Sequence, residues 1–243
     1  MSAVPDTKKS TATALHVADL NAYYGESHIL HGISFDVKRG ELITLLGRNG
    51  AGRTTTLKAI LGLTGKRTGS IAINGIEAIA LPSHKIARLG IGYCPEERGI
   101  FSSLSCEENL LLPPKVRDGG MSLDEIYGMF PNLLERRNSQ GTRLSGGEQQ
   151  MLAVARILRT GADLLLLDEI TEGLAPVIVK ELGRMIRALR EKGYTIVMVE
   201  QNFRFAAPLA DRHYVMEHGK IAEMIPREEL VAKTDLLHEY LGV

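Results

Sequence analysis

The densest chemistry in the sequence lies in Gly47-Arg48-Asn49-Gly50-Ala51-Gly52-Arg53-Thr54-Thr55. Small residues there let backbone N–H groups close around a polyphosphate. Arg53 offers a fixed positive charge, and the Thr54 hydroxyl suits Mg²⁺. The pattern G-x-x-x-x-G-K-[ST] is met except at Arg53, which stands where lysine is expected. A plain glycine-rich turn is the bland alternative, and the extent of the match argues against it. Lysine is a compact charge on a slim stem, whereas arginine carries a wider planar fork. Two readings of Arg53 stay open. It substitutes for lysine and hydrolysis continues, slower, or one charge-assisted hydrogen bond is lost. The second costs about 1.5–3 kcal/mol, or roughly 10- to 150-fold in affinity.

A second constellation is Asp168-Glu169, closing the apolar run Leu164–Leu167. Two acids at the carboxyl edge of a buried strand sit where ligands of open parallel sheets bind. Asp168 would hold Mg²⁺ through water, and Glu169 would polarise an attacking water as general base. Taken alone, the pair reads equally well as a helix-capping feature. A third is Leu144-Ser145-Gly146-Gly147-Glu148-Gln149-Gln150. Ser145 and Glu148 have the spacing of a capping box. The two glycines add exposed N–H groups beside a helix start, a second anion site that a mere cap does not require. A chain with two phosphate-reading elements usually needs a second chain to complete each site.

These groups need strands that end and helices that begin beside them. Leu42–Leu46 reads as a fully buried strand before the phosphate loop, with Leu57, Ile60 and Leu61 marking the helix after it. Leu15, Val17 and Leu20 mark an irregular strand, and Ile33, Phe35 and Val37 a half-buried one. Asn74-Gly75 signals a hairpin after Ser70–Ile73, and Ile91–Tyr93 is a short strand ended by Pro95. Residues 97–159 read as a mainly helical insertion whose last helix begins after Ser145. Pro176 suits the first turn of a helix that Gly193 ends. Thr195–Val199 is a third buried strand, and a hairpin around His218-Gly219 and two short helices follow. Alternating buried strands and helices predict a largely parallel sheet covered on both faces.

With these motifs in this order, the chain from about Leu15 to Val243 resembles the nucleotide-binding subunits of ABC transporters, whose LSGGQ signature covers the γ-phosphate of ATP held by the partner's phosphate loop. The resemblance implies an α/β fold: a P-loop NTPase (RecA-like) core, an N-terminal antiparallel β subdomain and a helical insertion subdomain. It makes 13–243 one ATP-binding domain after a disordered tail, 1–12. It assigns Tyr24 to adenine stacking, and Gly47 to Thr55 to nucleotide. Ser145, Gly146, Gly147 and Glu148 would face the partner's ATP. Glu96 falls at the Q-loop glutamine and would orient water or reach Mg²⁺ through water beside Thr54 and Asp168. Gln201 falls at the switch histidine and can donate to phosphate but cannot relay a proton. Glu172-Gly173-Leu174-Ala175-Pro176 matches the D-loop along the dimer seam. Pro95-Glu96, EGLAP and VEQN together resemble the second ATP-binding subunit of branched-chain amino acid importers. YYGESHIL and LLGRNGAG also resemble urea and short-amide importers. Arg53 leaves a largely non-hydrolytic subunit as a further alternative. Ile170, in place of the usual proline, would alter only local backbone stiffness. The implied cofactors are ATP and Mg²⁺. The implied partners are a second ATP-binding subunit, two integral-membrane permeases and, indirectly, a periplasmic solute-binding protein, with the chain on the cytoplasmic face.

Composition agrees. Across 243 residues, 29 basic and 29 acidic side chains cancel, which argues against a strongly basic nucleic-acid binder. Two cysteines exclude a disulfide scaffold. The scattered histidines lack metal-site spacing, and the arginines of Arg184–Arg190 read as a solvated helix face. Glycine is in excess, 25 of 243 residues, and the loops named above hold part of that excess.

Overall fold

The computed structural model describes residues 12–241. The expected disordered tail lies outside them except for Ala12, whose carbonyl accepts a hydrogen bond from Arg39 N–H. The chain opens with β1 (Thr13–Tyr24) and β2 (Ser27–Lys38), a long antiparallel pair, and then β3 (Leu42–Leu46). Helix α1 (Arg53–Ile60) follows the glycine-rich loop. Next come β4 (Arg67–Ile73), β5 (Ile76–Glu77), α2 (Ser83–Ala87) and β6 (Ile91–Cys94). The middle holds α3 (Cys106–Leu111), α4 (Leu123–Met129), α5 (Pro131–Glu135) and α6 (Gly146–Leu158). Then β7 (Leu164–Asp168), α7 (Pro176–Glu191), β8 (Thr195–Val199) and α8 (Phe203–Ala206) alternate. The hairpin β9 (Arg212–Glu217) and β10 (Lys220–Pro226) precedes α9 (Thr234–Leu241).

Among the described residues the strands form two sheets. One runs β2-β1-β4-β5 and is antiparallel throughout. The other runs β10-β9-β3-β8-β7-β6, parallel except for the β9–β10 edge. The hairpin at Asn74-Gly75 forms as expected. Both residues have positive φ, 52° and 81°, the geometry of the primed turns that match strand twist.

The apolar runs of the central strands divide residue by residue between two cores. Leu42, Leu46, Leu165, Leu167, Ile196 and Met198 face the core shared with α6 and α7. Ile43, Leu45, Leu164, Leu166, Val197 and Val199 face the core shared with α1 and the antiparallel sheet. Period-two alternation explains this, and both sides are apolar because both are covered. At the same carboxyl edge, β3 runs into the phosphate loop, β7 ends in Asp168 and β8 leads to Gln201. The arginines of α7 are not uniformly solvated. Arg190 sends Nη2 to both carboxylate oxygens of Asp211, at 2.8 and 2.7 Å, and Nη1 to Leu209 O. That ties α7 to the start of β9.

Candidate nucleotide site

The phosphate loop gets its shape from glycine. Gly52 caps α1 at φ 101°, a conformation that side chains resist, and a Cβ there would lie 2.8 Å from Leu30 Cδ2. No side chain caps α1, and its first turn carries no acid. Its first N–H groups, with their partial positive charge, are therefore suited to an anion.

A cavity of about 290 Å³ opens here. It is lined by 49–55 of the loop and by Glu96, Glu169, Glu172 and Gln201. Asp168, fully buried, lies beside it. Thr54 Oγ1 donates to Asp168 Oδ1 at 3.0 Å, and Tyr93 OH donates to Oδ2 at 2.9 Å. Burial raises the Asp168 carboxyl above its ordinary range, opposed by these two bonds. A hydroxyl and a carboxylate held together beside a phosphate loop are the donor set Mg²⁺ takes when phosphates and water supply its remaining ligands. The described residues contain no cluster of three or more acids, histidines or cysteines that could cage a metal alone. The Thr54–Asp168 pair fits a cation that takes its remaining ligands from water and phosphate.

Glu169 lies one residue beyond Asp168 and is buried. Its φ of 46° places a non-glycine residue in the sparsely populated left-handed region, a strain that tends to gather at functional sites. Its N–H donates to Val199 O at 2.9 Å, and the next residue, Ile170, is fully buried in the α6–α7 core. Ile170 thus anchors the backbone that carries Glu169, a packing role beyond the change in stiffness expected for it. Arg53 Nη2 meets Glu169 Oε1 at 2.8 Å, and Gln201 Nε2 donates to Oε2 at 2.8 Å. Burial raises the Glu169 carboxyl, and the Arg53 charge opposes it. Burial also raises Glu96, helped by the neighbouring Glu172, Glu97 and Asp168. The cavity is thus crowded with carboxylates, a field that a cation–nucleotide complex relieves better than a bare anion.

The signature segment forms the capping box its spacing predicts. Ser145 Oγ accepts from Glu148 N–H at 3.3 Å, and Glu148 Oε2 accepts from Ser145 N–H at 2.7 Å. Ser145 is exposed, and none of 145–148 lines the cavity beside the phosphate loop. Gly147 is buried, and its missing side chain has a packing reason as well. A Cβ would lie 2.8–3.0 Å from three carbons of Ile178 on α7. Tyr24 is exposed, at the end of β1, and does not line the cavity. The neighbouring Tyr23 stacks on His28 with ring centroids 4.2 Å apart.

The fold therefore brings 49–55, Glu96, Glu169 and Gln201 together, leaving the signature and Tyr24 apart. Sequence reasoning missed two contributors. Tyr93 binds Asp168 because β6 pairs beside β7, with Tyr93 opposite Leu166. Glu200, almost fully buried, accepts from Thr171 Oγ1 at 2.7 Å and from Thr171 N–H at 3.2 Å. Two acids ending neighbouring parallel strands, Asp168 and Glu200, were the available signal for the second.

A family model described as "ABC transporter" matches residues 30–172. The chain is 41% identical over 226 residues to the high-affinity branched-chain amino acid transport ATP-binding protein BraG of Pseudomonas aeruginosa, covering 92% of this chain and 97% of that one. It is 37% identical over 212 residues to a probable branched-chain amino acid transport ATP-binding protein, LivF, of Archaeoglobus fulgidus, covering 86% and 90%. The lipopolysaccharide export ATP-binding protein LptB of Escherichia coli is 33% identical over 239 residues, covering 96% and 98%. A solved ATP-binding subunit of an ABC transporter superposes with a TM-score of 0.80 at 27% identity, covering 95% of this chain and 100% of that one.

Proposed function

The chain belongs to the ABC transporter ATP-binding family, and from that premise we propose that it hydrolyses ATP to drive import of branched-chain amino acids. The observation that carries the ATPase reading is the convergence of the phosphate loop, Glu169 and Gln201 on one cavity, with Thr54 against Asp168 beside it. The solute assignment rests on the likeness to BraG and LivF, since LptB, named for export, is less identical.

In this reading the loop N–H groups and the start of α1 hold the phosphates, and Tyr24 stacks on adenine. Thr54 and Asp168 would hold Mg²⁺, with Glu96 reaching it through water, and the ion would supply charge neutralisation at the phosphate oxygens. Glu169 accepts the proton of the attacking water, and Gln201 donates its amide to the terminal phosphate. Ser145, Gly146 and Gly147 cover the ATP of a second ATP-binding subunit. Their position away from this chain's own cavity supports such a pairing. Closure of the pair drives two permease subunits to reorient, and a periplasmic binding protein delivers the solute. No helix among the described residues is long and apolar enough to cross a membrane, which fits a peripheral place on the cytoplasmic face.

The test is phosphate release by the full chain, with partner subunits if the chain alone is inactive. Glu169→Gln should lower turnover by about 100-fold or more, while ATP binding persists. Equal release by both proteins would end the assignment of Glu169. Deleting the chain's gene should reduce leucine uptake, and unchanged uptake would remove the solute assignment alone.

A further inference from the structure

Arg53, Glu169, Gln201 and Asn49 close a ring across the cavity. Arg53 Nη2 bonds Glu169 Oε1 at 2.8 Å and Asn49 Oδ1 at 3.3 Å. Gln201 Nε2 donates to Glu169 Oε2 at 2.8 Å and to Asn49 Oδ1 at 2.7 Å. Both oxygens of Glu169 are therefore engaged, one of them by a full positive charge. The ring joins the phosphate loop to the ends of β7 and β8, the elements that would flank a terminal phosphate in the reading above.

The ion pair is buried, with side-chain exposures of 4% for Arg53 and 9% for Glu169. Charges taken from water need partners, and Arg53 is only partly satisfied. Its Nη1 is buried and has no hydrogen-bond partner. One arm of the guanidinium is thus occupied by Glu169, and the other is desolvated and vacant beside the phosphate loop. Desolvation also leaves the guanidinium with a lowered pKa, in spite of the surrounding carboxylates. A planar fork presents separate donors in fixed directions, so one group can hold a carboxylate while aiming a second donor elsewhere. A triphosphate offers several negative oxygens where Glu169 offers one charge, so it competes well for this group.

We propose that Arg53 is a latch on the general base. Without nucleotide it ties up Glu169, and a seated triphosphate draws the guanidinium away and frees the carboxylate to act on water. The idea rests on the ATPase reading above. It makes the arginine a coupling device: the base is released only when there is phosphate to attack. It also makes the latch a tax on affinity, because binding must first break a buried ion pair.

A double-mutant cycle on the full chain tests it, with binding of a non-hydrolysable ATP analogue and Mg²⁺ read by calorimetry. The proteins are the unmodified chain, Glu169→Gln, Arg53→Met and the double variant, with Arg53→Gln replacing Arg53→Met if the latter does not fold. In the presence of Arg53, Glu169→Gln should tighten binding by about 10-fold or more, the factor carried by one charge-assisted hydrogen bond. Without Arg53 it should tighten binding by about 3-fold or less, through relief of general repulsion only. Equal factors in the two backgrounds would overturn the latch while leaving nucleotide binding intact. Failure of all folded variants to bind the analogue would instead overturn the ATP-binding reading itself.

Discussion

Replacing Glu200 by glutamine should stabilise the protein at alkaline pH and leave it nearly unchanged in acid. Glu200 is 1% exposed, and burial pushes its carboxyl from 4.5 up to about 7. The bonds from Thr171 and the Arg53 charge oppose that rise, and the nearby Glu169 adds to it. A raised folded-state value means that the folded protein favours the protonated acid. That contribution is fully present below about pH 4.5 and is lost as pH rises through about 7. A rise from 4.5 to about 7 corresponds to about 3 kcal/mol at 25 °C. Glutamine carries no charge to desolvate, and it keeps both contacts: its carbonyl accepts from Thr171 N–H and its amide donates to Thr171 Oγ1. At pH 8, Glu200→Gln should therefore gain up to about 3 kcal/mol, which for a chain of this size is roughly 6–12 °C in Tm. At pH 5 the gain should shrink to about 1 kcal/mol or less, and it should vanish further into acid. Thermal and urea unfolding at pH 5, 6, 7 and 8 provide the measurement. A difference independent of pH, or a variant less stable at pH 8, would refute the reasoning. The consequence reaches the site, since Thr171 begins the segment leading from Glu169 towards α7.

Gly147→Ala should force Ile178 to move, because the added carbon would lie 2.8 Å from its Cγ2. The expected cost is about 1–3 kcal/mol of stability by urea unfolding, relieved by pairing it with Ile178→Ala. Full stability in the single variant would show that α6 and α7 can part freely. Arg53→Lys should raise ATP turnover or affinity by about 10-fold, because lysine has one compact head to commit and holds Glu169 less firmly. Steady-state phosphate release measures it, and identical kcat and KM for the two proteins would remove any special role for the arginine.

The sequence alone determined the class of the fold and named most residues of the candidate site. Phosphate loop, acid pair and capped signature are each local, and local chemistry is legible because backbone geometry there depends on a few adjacent residues. Alternation of buried strands with helices likewise announced the parallel sheet, and Asn74-Gly75 its hairpin. Reading Arg53 as lysine's stand-in was as far as spacing could go. Only the tertiary structure brought it to Glu169, 116 positions along the chain. It also set Tyr93 on Asp168, Glu200 on Thr171 and Arg190 on Asp211. These are partnerships between neighbouring strands and facing helices, decided by strand order. Periodicity tells a residue which face to bury, while the order β9-β3-β8-β7-β6 decides which other residue it finds there. Gly147 shows the same division: its type suggested backbone N–H groups open to an anion, and only the packing of α6 on α7 showed that its missing side chain also makes room for Ile178.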